Sequence, residues 1–130
     1  MSAQTLLSVG NKWYSYSGTI QGGVGAPASI SLILVPNSGL RDSFISLQPF
    51  FGPPVATGTD DALGIIVYLD DQEIYRQQNK WENDAATFDL DVSNKIELFI
   101  PRQSKLEVQS LNTSNNNSQL RGCNLIGYFL

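Results

Sequence analysis

The chain reads as one all-β domain, an antiparallel β-sandwich of about eight strands with a jelly-roll-like rhythm. Three observations lead there. Glycine and proline cut the 130 residues into pieces too short for most helices. Those pieces are rich in Ile, Val, Leu, Phe, Tyr and Thr, whose shapes suit a pleated, half-buried surface. Several alternate apolar with polar residues, the spacing of a sheet with one wet face.

Residues 1–11 are expected to form an N-terminal arm, ordered against a neighbour, and residues 12–130 the sandwich. Trp13 to Ile20 is the first candidate strand, with Tyr14, Tyr16 and Ile20 on one side and Ser15, Ser17 and Thr19 on the other. Ala28 to Val35 carries apolar residues on both sides, Ile30, Leu32 and Leu34 against Ile33 and Val35, which predicts a central strand covered on both faces. Phe44 to Phe50 follows, ended by Pro49 and the turn-forming Phe51-Gly52-Pro53-Pro54. Ile65 to Leu69 and Glu73 to Arg76 flank Asp70-Asp71-Gln72 and predict a hairpin, because short Asp side chains bond nearby backbone N–H groups and tolerate turn conformations.

Ala85 to Leu90 reads as a short strand. Lys95 to Ile100 sets Ile96, Leu98 and Ile100 against Lys95 and Glu97, and Pro101 stops it because proline cannot donate to a ladder. Lys105 to Leu111 sets Leu106 and Val108 against Glu107 and Gln109. The run Asn112 to Ser118 is too polar to be buried, and Gln119 to Leu130 forms the last strand. No internal repeat or linker divides the chain.

Composition narrows the function classes. Charged residues make up 15% and the net charge is −4, with eight basic side chains scattered along the chain. That balance argues against a surface that neutralises phosphates, so no nucleic acid is expected as a partner. The polar surface is mostly Ser, Asn, Gln, Thr and Gly, which suits packing beside many neighbours because each buried unpaired charge costs several kcal/mol, roughly 3–5. The single cysteine, Cys123, has Leu120, Leu125 and Ile126 nearby and reads as a small core residue. The first residues lack the basic and apolar regions of a signal peptide, and no stretch is long enough to span a bilayer. Synthesis in a cytoplasm and no membrane partner are therefore expected.

Histidine is absent, which removes the commonest general base and the commonest metal ligand. Gly22-Gly23-Val24-Gly25 has no following Lys-Ser/Thr and no helical pattern, so it is a turn and not a phosphate loop. Asp60-Asp61, Asp70-Asp71, Asp84, Asp89 and Asp91 read as turn and loop chemistry before they read as glycosidase carboxylates or calcium ligands. No catalytic residue, cofactor or metal site is nominated, and the chain is not expected to be an enzyme. The aromatics are what remains. Trp13, Tyr14 and Tyr16 could form a stacking platform or an interface, and Trp81, among polar neighbours, suggests a surface contact. Asn112-Thr113-Ser114 and Asn116-Asn117-Ser118 match the glycosylation pattern, which without an export signal carries no weight.

The stretch Ile96 to Val108, the Asn/Ser loop, and Leu120-Arg121-Gly122 through Gly127-Tyr128 together resemble the ending of small jelly-roll virion proteins of tailed bacteriophages. The resemblance covers roughly the last third of the chain. It implies a capsid decoration (cement) or fibre-associated protein at the capsid surface of the virion, made in the host cytoplasm. The implied assembly is a homotrimer bound to the major capsid protein or another virion protein. Under that reading Ile126, Tyr128 and Phe129 join Trp13, Tyr14, Tyr16 and Trp81 as interface candidates. The alternative is a carbohydrate-binding jelly-roll module, receptor-binding or lectin-like, whose aromatics would stack on a glycan.

Overall fold

A computed structural model describes residues 7–18, 20–21, 29–51, 61–81, 95–112 and 120–130, and everything regular in it is strand. In chain order these are β1 (Leu7–Val9), β2 (Lys12–Tyr16), β3 (Ile20–Gln21), β4 (Ser29–Val35), β5 (Ser43–Phe51), β6 (Asp61–Leu69), β7 (Gln72–Trp81), β8 (Ile96–Ile100), β9 (Leu106–Asn112) and β10 (Leu120–Phe129). One sheet runs β1-β2-β10-β5-β8, with β3 also paired to β10, and the other runs β4-β9-β6-β7. Every pairing is antiparallel.

Setting aside β1 and β3 leaves eight strands, which renumbered in chain order run 1-8-3-6 in one sheet and 2-7-4-5 in the other. First and last strands lie side by side, and the chain crosses repeatedly between layers. That wrapping is the jelly roll.

The core lies between the layers. Trp13, Ile45, Leu47, Ile96, Ile100, Cys123 and Leu125 come from the first sheet, and Leu32, Ile33, Val35, Ile65, Val67, Leu106 and Val108 from the second. Each buried side chain of this size contributes about 1.5–3 kcal/mol relative to exposure. Trp13 is the largest, and its Nε1 donates to Ser43 Oγ at 3.1 Å, which satisfies the buried indole N–H across two strand spacings. The indole lies flat against Gly127, its register partner on β10, where any Cβ would collide with the ring.

Two expectations need correction. β4 is an edge strand and not a central one. Its pairing with β9 shifts between Ser31 and Ile33, and this bulge lets the consecutive Leu32 and Ile33 both be buried. The apolar run thus reflects a break in phase, the device that also blunts an exposed edge. Pro49 does not end its strand either, since β5 continues to Phe51 with Pro49 opposite Cys123. Among the described residues pairing with β8 stops at Leu47, so none of them on that side waits for the N–H that Pro49 lacks.

The predicted hairpin is present, with Asp70 and Asp71 both at positive φ (49° and 66°) between paired Leu69 and Gln72. Both central residues left-handed is the two-residue turn whose twist suits a hairpin. The same residues clip the turn to the start of β9: Lys105 N–H donates to Asp70 Oδ1 at 2.8 Å, and Lys105 Nζ to Asp71 Oδ1 at 2.7 Å. Leu7–Val9, within the segment expected to be an arm, pair with β2. The predicted strand Ala85 to Leu90, and residues 113–119 with most of the polar loop, lie outside the described residues.

At the same end of the sandwich the β4–β5 and β8–β9 loops are joined. Buried Ser38 donates through Oγ to the Pro101 carbonyl at 2.7 Å and accepts from Ser104 N–H at 3.0 Å. Asp42 Oδ1 accepts the Arg102 backbone N–H at 2.9 Å and faces its guanidinium. These bonds hold the Asp42 carboxyl below its ordinary value of 3.8.

Replacing Gly127 with Ala should lower stability by about 1–3 kcal/mol, the usual cost of overpacking a filled core. Urea denaturation measures it, and an unchanged midpoint would show that the indole has room to move. A carboxyl depressed on folding adds stability that is complete above its unfolded value and is lost as pH falls through its folded one. Wild type should therefore lose stability faster than Asp42→Asn as pH drops below about 4. Denaturation midpoints across that range should converge in acid.

Candidate functional site

Because side chains alternate along a strand, the inward Trp13, Ile45, Leu125 and Ile100 fix what points outward from the first sheet. Register places Lys12, Tyr128, Phe44 and Phe99 in one row across β2, β10, β5 and β8. The next row is Tyr14, Ile126, Ser46 and Glu97, and the one after it Tyr16, Asn124 and Gln48. Beyond these, the Phe50 ring covers Gly122, where a Cβ would strike it.

The outer face of this sheet is therefore aromatic. Tyr16 (49%), Phe44 (50%), Phe99 (46%) and Tyr128 (43%) are the exposed aromatic side chains among the described residues, and all four lie on it. They are arranged in contact. Phe44 and Phe99 meet edge to face with centroids 5.7 Å apart, Tyr14 and Tyr16 stack at 6.3 Å, and Lys12 Nζ sits 5.6 Å from the Tyr128 centroid. Edge-to-face and cation–ring contacts are each worth about 0.5–1.5 kcal/mol, so the face is ordered before any partner arrives.

The outer face of the second sheet is built differently. Glu107 on β9 accepts Ser31 Oγ at 2.9 Å and Gln109 Nε2 at 3.1 Å, beside Leu34, Ile66 and Tyr68 on the neighbouring strands. No exposed aromatic side chain lies on this face among the described residues.

Of the sequence-nominated residues, Tyr14, Tyr16, Ile126 and Tyr128 share the aromatic face. Trp13 does not: it is fully buried in the core and makes no surface contact. Phe129 also turns inward, 6.4 Å from the Trp13 ring, with the Arg41 guanidinium 5.4 Å from its own ring centre. The physical reason is phase, since Trp13 and Phe129 sit one residue out of step with Tyr14 and Tyr128. Trp81 ends β7, opposite Asp61, and its side chain lies outside the described residues. Phe44, Phe99 and Phe50 were missed, although Phe99 follows the phase of Glu97 and Phe44 that of Ser46, a signal the sequence does carry.

Other chemistry is sparse. No group of three or more His, Cys, Asp or Glu that could hold a metal occurs among the described residues. Arg121, on the same side of β10 as Cys123 and Leu125, is fully buried with Nη1 donating to Ser110 Oγ at 3.2 Å, and burial lowers its pKa. Its Nε and Nη2 have no partner among the described residues. Cys123 is buried, and burial pushes its thiol up to about 12.

No protein-family model, curated protein or solved structure matches the chain.

A thiol at that value is protonated at neutral pH, and only the thiolate is a nucleophile. Iodoacetamide should leave native Cys123 unmodified and label it fully in denaturant, read by intact mass. Labelling of the native chain at the rate of a free thiol would contradict the burial.

Proposed function

We propose that this chain is a structural virion protein, a capsid decoration (cement) protein that bridges and stabilises capsid subunits through homo-oligomeric contacts. The observation that carries the reading is the one-sided aromatic face. Soluble monomers rarely leave a contiguous apolar patch of more than a few hundred Å² in water, and aromatic residues are the side chains enriched where proteins meet. A stiff two-layer domain with such a face suits adhesion, because each copy need contribute only a modest contact when a shell repeats it many times.

A carbohydrate-binding role has one specific feature in its favour. Tyr16 stacks on Tyr14 and shares its row with the amides Asn124 and Gln48, which combines a ring surface with hydrogen-bonding groups of the kind a sugar needs. The Phe44 and Phe99 pair supports adhesion to protein more than sugar binding, since each ring already packs on the other and neither offers a polar atom.

Peptide mass spectrometry of density-banded, nuclease-resistant particles from a culture carrying the gene should find the chain at a copy number comparable to the shell subunit. Absence from such particles would overturn the reading. Glycan-array binding abolished by Tyr16→Ala, with no particle association, would establish the sugar-binding alternative in its place.

A further inference from the structure

Taking as its basis the reading of the chain as a self-associating structural protein, we propose that the aromatic face docks on the same face of a second copy. The two copies are related by a two-fold axis that runs parallel to the strands between β10 and β5. The placement of charge selects the occupant. Across the rows from Lys12 to Tyr16, the cation Lys12 stands on β2, just inside the short β1, and the anion Glu97 on β8 with Lys95 one pleat beyond it, with uncharged side chains between the two strands.

A strand-parallel two-fold lays β2 of one copy over β8 of the other. Lys12 then comes opposite Phe99, with Glu97 one pleat away at about 7 Å, within reach of a lysine stem. Tyr128 comes opposite Phe44, aromatic on aromatic. By continuation of the register, exposed Lys95 falls opposite Tyr16, a cation over a ring. Symmetry makes every contact twice, which is what a self-complementary patch requires. A two-fold perpendicular to the strands through the row of Ile126 sets Glu97 against Glu97 and is disfavoured by like charge. A cation on β2, an anion on β8 and rings between them complement one another when the patch is turned over about the strand-parallel axis.

Four strands and four rows of outward residues give a flat footprint about 20 Å on a side. That is roughly half of the ~800 Å² each partner buries in a stable complex, so the pair is weak and exchanging in dilute solution and is consolidated where many copies are held together.

Sedimentation velocity of the full chain, from about 10 μM to about 1 mM to bracket a contact of this size, should show monomer passing to dimer. Lys12→Glu and Glu97→Lys should each weaken the dimer at least about tenfold, and the double charge swap should recover to within about threefold of wild type. Phe44→Lys should abolish the dimer at an unchanged melting temperature. A monomer throughout, a trimer, a dimer indifferent to these changes, or a folded double swap that does not recover would each overturn the proposal. A monomeric chain that still appears in purified particles would remove this pairing and leave the proposed function intact; a dimer absent from particles would do the reverse.

Discussion

The indole of Trp13 lies against a residue with no side chain, and much of the first sheet follows from that contact. Gly127 must stay bare for the ring to fill the space between the layers, and Ser43 on β5 must present a hydroxyl to the indole N–H. One side chain therefore ties β2, β10 and β5 into a common register. Since alternate residues face opposite ways, fixing Trp13 inward sends Lys12, Tyr14 and Tyr16 outward, and fixing Gly127 inward sends Ile126 and Tyr128 with them. The outer face is set by packing inside the sandwich.

A comparable arrangement appears on the outside, where Phe50 covers Gly122. Glycines on β10 thus receive an aromatic ring on each side of the same strand, one buried and one half-buried. This lets the middle strand lie beneath bulky neighbours without bending away. On the other sheet Glu107 takes hydrogen bonds from Ser31 and Gln109, and no exposed aromatic side chain lies there among the described residues.

The fold class was legible because alternation and turn residues report directly on local geometry. The Asp70-Asp71 turn, the strand after Lys95 and the last strand all follow from them. Strand order was not legible, since period-two alternation says which way a side chain points and nothing about which strand lies beside it. The β4 bulge hid an edge strand behind an apolar run, and Pro49 looked like a stop because a sequence does not show which strands lie beside it. The site was half legible. The phase of Tyr14 with Tyr16 and that of Ile126 with Tyr128 can be read off the chain, as can those of Phe44 and Phe99, whereas only the pairing of β2, β10, β5 and β8 brings them onto one face. Arg121 follows the phase of Cys123 and Leu125, so its burial could have been read from the alternation that placed those two inside.

The position of β10 bears on when the chain can present its aromatic face. It lies between β2 and β5, which are separated early in the sequence and have no contact with each other as sheet neighbours until β10 enters. Long-range pairing of this kind is slow, because the entropy of closing a large loop is lost before any contact compensates it. Ile126 and Tyr128 arrive on that same strand, and the columns on either side are brought into line by it. A polypeptide still being made, or one trapped short of the native state, therefore lacks the assembled aromatic face until the sheet is complete.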